Sequence, residues 1–136
     1  MNRVTLKGLA GAFLLVWLSA VWADEPLPSG ANYIPLSPPF TVNYGGEGRL
    51  KYLQTEIALR APTSAVADTI RHHQPLIRNS LILLLSRLSE EDVNTQAGRQ
   101  RLRQQALDEV NALLAREEGE EIQANDLLFN TFTVQN

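Results

Sequence analysis

Two adjacent histidines are the residues whose type could most directly do chemistry, because imidazole is a common ligand of metal ions in proteins. His72 and His73 lie within residues 70–88, which read IRHHQPLIRNSLILLLSRL. Neighbouring helical residues point about 100° apart, so the two rings do not readily face one ion. Asp68 and His72 have a helical spacing of four, but the chain contains no further His and no Cys to complete a ligand set. We therefore expect no metal site and interpret His73 as a core or interface residue.

Three other stretches have compositions that occur in functional loops. Residues 44–48, YGGEG, are rich in glycine but are not followed by the lysine of a phosphate-binding loop, so they predict a tight turn. The acidic stretches at 89–92 and 116–121 lack the ligand spacing of a calcium loop. No serine lies in a G-x-S-x-G elbow. The sequence thus predicts a protein that is not an enzyme and that carries no cofactor.

The first 23 residues have the character of an export signal. Arg3 and Lys7 precede an apolar stretch over residues 8–22, and a small-residue cleavage pattern ends at Ala23. The apolar stretch is shorter than the roughly 18–20 residues of a comfortable membrane span. We predict that residues 1–23 are a cleaved signal peptide, with an uncleaved signal anchor as the alternative. Either reading places the remainder of the chain outside the cytoplasm.

The exported part is acidic and has no cysteine. Of the 12 Lys and Arg residues, Arg3 and Lys7 belong to the signal, which leaves ten against 15 acidic residues, a net charge of −5. Bulk charge of that sign argues against nucleic acid as a partner. The absence of cysteine excludes disulfides and thiolate metal sites. Stability must therefore come from a packed core.

The pattern along the exported chain predicts a linker and then strands. Residues 24–39 are rich in Pro, Gly and Ser and predict an extended linker before a domain over 40–136. A short strand is expected around Val42. Period-two alternation predicts a half-buried second strand whose inner residues are Leu53, Thr55, Ile57 and Leu59. A last strand over 126–135 is expected to direct Leu128, Phe132 and Val134 to one face, and Phe129 and Thr131 to the other.

Helical spacing dominates the middle of the domain. One apolar stripe recurs at steps of three and four: Val66, Ile70, His73, Ile77, Leu81, Leu84 and Leu88. Pro75 lies within this stripe and is expected to kink the helix or to split it in two. Residues 89–95 predict a polar turn, and Thr95 a cap for a second helix that ends near Gly119. The buried face of that helix is predicted to be Leu102, Ala106, Val110, Leu113 and Leu114.

The order strand, strand, helices, strand predicts an α+β domain, a small sheet covered on one side by two or three helices. The SLILLL run at 80–85 is too short to cross a bilayer and is bracketed by arginines, so it predicts a buried helix. Leu76 and Leu83 fall outside the apolar stripe. This surplus predicts a helix covered on more than one side, by the sheet and by either the second helix or a neighbouring subunit.

Taken in order, these segments resemble the flagellar basal-body-associated protein FliL family. The resemblance begins with the PF-x-VN pattern at Phe40, Val42 and Asn43. It continues in the second strand through Arg49, Leu53, Gln54, Ile57 and Leu59. In the helices it is carried by Pro75, Ile77, Arg78, Asn79, Leu84, Leu85 and Ser86, and then by Thr95, Gly98, Leu102, Asn111 and Leu114. It closes with Phe129, Phe132, Val134 and Gln135.

The resemblance implies a stomatin-like (SPFH) fold and a non-enzymatic periplasmic accessory of the flagellar motor at the inner membrane. Its implied partners are further copies of itself, in a ring-like homo-oligomer, and the flagellar stator proteins, whose torque and motility it supports. The inner membrane is a further partner if the signal is uncleaved. Family members carry a cytoplasmic tail, a full transmembrane helix and a longer linker, whereas the apolar segment here is short and begins almost at once. A soluble periplasmic adaptor with the same fold but a different partner is the alternative.

A surface for self-assembly or partner binding is expected where apolar or cationic residues exceed the needs of the core. The residues we select for this surface are Leu76, Leu83, Arg78, Arg49 and Phe129.

Overall fold

The structure is a computed structural model that describes residues 32–48 and 50–135. The predicted signal segment at 1–23 and most of the predicted linker, residues 24–31, lie outside the described residues. The described chain forms three strands and four helices. These are β1 (Tyr33–Tyr44), β2 (Lys51–Arg60), α1 (Ser64–His72), α2 (Gln74–Leu85), α3 (Glu90–Asn94), α4 (Gln96–Glu118) and β3 (Asp126–Gln135).

The three strands form one antiparallel sheet in the order β1-β2-β3, so β2 is the central strand. The predicted inner residues of β2, from Leu53 to Leu59, are all buried, and they join a single core with the apolar residues of the helices. Gln54 and Glu56 lie exposed on the opposite face. The predicted α+β class, with helices on one side of a small sheet, is confirmed. The prediction of two or three helices was too low.

Strand β1 begins earlier than its sequence predicts. Residues 33–39, which the proline content assigned to the linker, pair with β2, and Ile34 and Leu36 are buried. A register shift between Leu36 and Phe40 places Ser37, Pro38 and Pro39 in a bulge, where the missing N–H groups of proline break no ladder hydrogen bond. The domain therefore starts at Tyr33 rather than at residue 40.

Strand β3 has the predicted bounds but a different division of its two faces. Its register shifts opposite Glu56 and Ile57, which leaves Asn130 as an extra residue between Phe129 and Thr131. Because side chains alternate, one extra residue exchanges the faces beyond it. Phe129 and Phe132 therefore both lie toward the core, whereas Leu128 does not share their face. The prediction that Leu128 and Phe132 share a face was wrong.

The predicted split at Pro75 is confirmed. Helix α1 ends at His72, and Pro75 lies in the first turn of α2, where its missing N–H has no helical acceptor to lose. Thr63 caps α1 by accepting a hydrogen bond from the Val66 N–H. The stripe on α2 is displaced by one residue near its end, because Leu85 is fully buried and Leu84 only half-buried.

The predicted polar turn at 89–95 is instead the short helix α3. Ser89 and Asp92 form a capping box: the Ser89 hydroxyl accepts from the Asp92 N–H, and the Asp92 carboxylate accepts from the Ser89 N–H at 2.9 Å. These hydrogen bonds from Ser89, the backbone one above all, hold the pKa of the Asp92 carboxyl below its ordinary value.

Helix α4 follows its prediction closely. Thr95 caps it by accepting from the Gly98 N–H, the predicted buried face is buried, and Gly119 ends it with a positive φ. Within residues 32–48 and 50–135, no helix is both long and apolar enough to cross a bilayer.

Candidate partner-binding surface

Helix α2 exposes apolar side chains on the side turned away from the core. Leu76 is 47 % exposed, Leu83 51 % and Ile82 39 %, whereas Ile77 and Leu81 of the same helix are fully buried. Leu76 and Leu83 are seven residues apart and so lie on one side of the helix, two turns from each other. We call Leu76, Ile82 and Leu83 the α2 face. Leu76 and Leu83 were predicted, and Ile82 was missed because helical spacing alone assigns it to a flank.

A groove of about 620 Å³ runs beside the α2 face, between the bulge of β1 and the first two helices. Pro38 and Ser37 form one wall, and Arg71, Gln74 and Ile82 contribute to the other. Ile82 therefore belongs both to the α2 face and to the groove. Apolar surface next to polar and cationic groups is typical of sites for noncovalent partner binding.

Arg78, which the sequence suggested as a contact residue, fastens α2 to β1. Its Nη1 donates to the carbonyl oxygens of Pro38 at 2.6 Å and of Leu36 at 3.3 Å. Its guanidinium lies 4.2 Å from the ring centroid of Phe40. These contacts give a half-buried cation three partners in β1 and make Arg78 a structural support of the α2 face.

The structure does not bring the five predicted surface residues together. Phe129 lies on β3, at the opposite edge of the sheet from β1, and its ring packs edge to face with that of Phe132 at 5.4 Å. Arg49 lies outside the described residues. Leu76 and Leu83 therefore form one surface with Arg78 behind it, and Phe129 belongs to another.

The two histidines occupy different environments. The Nε2 atom of His73 lies 2.7 Å from a carboxylate oxygen of Glu118, a contact that joins the α1–α2 junction to the last turn of α4. His72 is exposed, and the Asp68 carboxylate pairs with Arg71 at 3.1 Å instead of turning to it. In the described part of the chain, no three His, Cys, Asp or Glu side chains are grouped so that they could hold a metal ion.

Several residues that carry the sequence resemblance have structural roles. The side-chain amide of Asn111 donates to the carbonyl of Ala124 at 3.1 Å and accepts from its N–H at 2.8 Å, which fixes the turn between α4 and β3. Thr95 caps α4, and Gly98 allows α3 to approach it. These residues shape the domain and hold its surfaces in place.

The fold and its surface define a class first: a two-layer α+β domain with an exposed apolar helix face suited to binding other proteins. Residues 33–135 match the family described as flagellar basal body-associated protein FliL. Because the match covers most of the chain, the protein belongs to the FliL family, a family of flagellar basal-body-associated proteins, as its sequence predicted.

A characterised relative agrees with this assignment. The chain is similar to a flagellar protein FliL from Aquifex aeolicus (strain VF5), with 26 % identity over 100 residues. The aligned region covers 74 % of this chain and 59 % of the relative. The chain therefore spans about three-fifths of the length of that relative.

Proposed function

We propose that the protein is a non-enzymatic accessory of the flagellar motor that assembles in several copies around the stator units and supports their torque. Family membership over residues 33–135 supports an association with the basal body. The α2 face is the observation that carries the proposal, because it is an apolar surface that the domain itself leaves uncovered. Periplasmic placement at the inner membrane, with anchoring if the N-terminal segment is retained, is part of the same proposal.

Ring assembly requires one heterologous contact that repeats until the ring closes. The α2 face supplies one half of such a contact, and Arg78 keeps its helix in register with β1. A small patch gives weak association in solution, and a membrane or stator that gathers the copies raises their effective concentration. We therefore expect the isolated protein to be monomeric or weakly associated.

The test combines motility with crosslinking in cells. Deletion of the gene should reduce swimming most in viscous medium, where load is high, and leave filament assembly intact. Leu83→Glu should have the same effect without unfolding the domain, because the side chain is exposed and the charge would be buried only in the assembly. Crosslinkers placed at position 83 should capture stator proteins and neighbouring copies.

Leu50→Glu is the matched control, since Leu50 is 61 % exposed and lies outside α2. It introduces the same charge and should leave motility under load unchanged. Normal motility of the deletion strain under load, together with the absence of stator crosslinks, would contradict the motor role. Crosslinks to some other periplasmic protein would then favour an adaptor with the same fold.

We also propose that the fold is of the stomatin-like (SPFH) kind. A small antiparallel sheet with its helices inserted between the second and third strands supports this. An experimental structure that superposes poorly on stomatin-like domains would refute the relationship and leave the α2 face unaffected.

A further inference from the structure

The two outer edges of the sheet differ in how they are protected against pairing with another strand. β1 carries Pro35, Pro38 and Pro39, and proline blunts an edge because it has no N–H to offer. Side chains of α2 also occupy carbonyl groups of β1: Arg78 donates to those of Leu36 and Pro38, and Gln74 donates to that of Ser37. The β1 edge is therefore closed to a further strand.

The β3 edge has none of these protections. The strand Asp126–Gln135 contains no proline and no Lys or Arg, and its only charged residue is its first, Asp126. In the described part of the chain, β3 pairs on one side with β2 and with no strand on the other. An uninterrupted edge of this kind presents backbone groups to which an extended segment can add.

A groove of about 250 Å³ follows the β3 edge on the helix side of the sheet. Phe129 and Phe132 form its apolar wall, and Arg99, Gln100 and Arg103 of α4 form its polar wall. A strand added to β3 would lie about 4.8 Å from it, and every second side chain would point toward the helix layer. Those side chains would enter this groove.

The groove is cationic within a chain whose formal net charge is −3. The guanidinium of Arg99 lies 4.6 Å from the ring centroid of Phe132, and its Nε donates to the carbonyl of Val93 at 2.8 Å. Those contacts hold Arg99 in place and leave its terminal nitrogens for a ligand. Arg103 lies 3.6 Å from Asp126, so two cations share one carboxylate.

We propose that the β3 edge binds an extended segment of a partner protein by strand addition, with an Asp or Glu side chain of that segment between Arg99 and Arg103. The residues two positions before and after the acidic residue are apolar and pack on Phe129 and Phe132, because they point to the same side. Backbone hydrogen bonds to β3 provide binding, and the arginines select for acid. This site is separate from the α2 face and does not depend on the motor role.

The test uses the full-length protein and two capped peptides: Thr-Val-Thr-Glu-Thr-Val-Thr and its counterpart with Gln in place of Glu. We expect backbone amide resonances of β3, and not of β1, to shift on titration. The Glu peptide should bind about three- to fivefold more tightly than the Gln peptide, as befits an ion pair near the surface. Raising NaCl from about 50 to about 500 mM should remove most of this difference.

Arg103→Gln should reduce the affinity for the Glu peptide to that for the Gln peptide. Arg71→Gln is the matched control, because Arg71 is likewise an exposed arginine paired with an aspartate, but it lies on α1 beside the β1 edge. It should change neither affinity.

Three outcomes would overturn the proposal. The first is no binding of either peptide at millimolar concentration, and the second is equal affinity for the two peptides. The third is a concentration-dependent dimer of the protein that pairs through β3 and excludes both peptides, which would assign the edge to a second copy.

Discussion

Gly98 lies so close to the backbone of Glu91 that a β-carbon at position 98 would overlap the Glu91 carbonyl oxygen. It would also crowd the Cα of Asp92 and the hydroxyl of Thr95. Gly98 is helical and buried in the first turn of α4, so the glycine is required by the close approach of α3 and not by an unusual φ.

We predict that Gly98→Ala lowers the free energy of unfolding by about 1–3 kcal/mol, because the methyl group would push α3 away from α4. This loss should occur although alanine is the better helix former by about 1 kcal/mol. Chemical denaturation measures the change. Gln105→Ala, at an exposed position of the same helix, should stay within about 0.5 kcal/mol of wild type. A Gly98→Ala variant as stable as wild type would refute the close packing.

The core prediction separates two neighbouring leucines of α2. Leu85 is fully buried, so Leu85→Ala should cost about 2–5 kcal/mol through lost contacts and a cavity. Leu84 is only half-buried, and Leu84→Ala should cost about 1–2 kcal/mol because part of its surface is already in water. Equal losses in urea denaturation would show that the phase of the helix is misassigned.

Asn111 should be essential to the turn before β3. Asn111→Ala removes both partners of the Ala124 backbone, which is buried, and should cost about 1–3 kcal/mol. Exchange of the Ala124 amide hydrogen with solvent should accelerate in the variant, because its acceptor is the lost side-chain oxygen. An unchanged exchange rate would mean that the amide has another acceptor.

The capping box of α3 should make stability depend on pH. The pKa of Asp92 is lowered in the folded state from a model-peptide value of 3.8, so its carboxylate stabilises the fold fully above that value. The contribution is lost as the pH falls through the lower, folded-state pKa. At neutral pH, Asp92→Asn should cost about 1 kcal/mol.

The difference between wild type and Asp92→Asn should shrink as the pH is lowered from about 7 to about 3. Chemical denaturation of both proteins at each pH gives this difference directly and cancels the titration of the other carboxyl groups. A difference that stays constant, or grows, toward acid would contradict the lowered pKa.

Caps and periodicity made much of the fold predictable. Thr95 and Gly119 bound α4 as expected, because the hydrogen bonds of a cap and the freedom of glycine are local properties. Helix α3 was missed because it is only five residues long, too short for a periodic signal. The start of β1 was missed because its prolines, which favour a linker in sequence, occur in a bulged edge strand in the fold.

The candidate surface was only partly predictable. Leu76 and Leu83 were identified because they exceed the apolar stripe of one helix, which is visible in spacing. Arg78 and Phe129 were placed with them by residue type, and contacts with β1 and with Phe132 then separated them. Ile82 and the groove at β3 depend on what the neighbouring elements leave uncovered.

By itself, the sequence determined the α+β class, the split at Pro75, the long helix α4 and the family, because each depends on residues near one another in the chain or on their order. Only the tertiary structure decided which side chains stay exposed. A single extra residue, Asn130, exchanges the faces of β3 beyond it, and the prolines of β1 close one sheet edge while the other stays open. Both results follow from pairing between strands, and pairing is a relation between distant segments that no local pattern encodes.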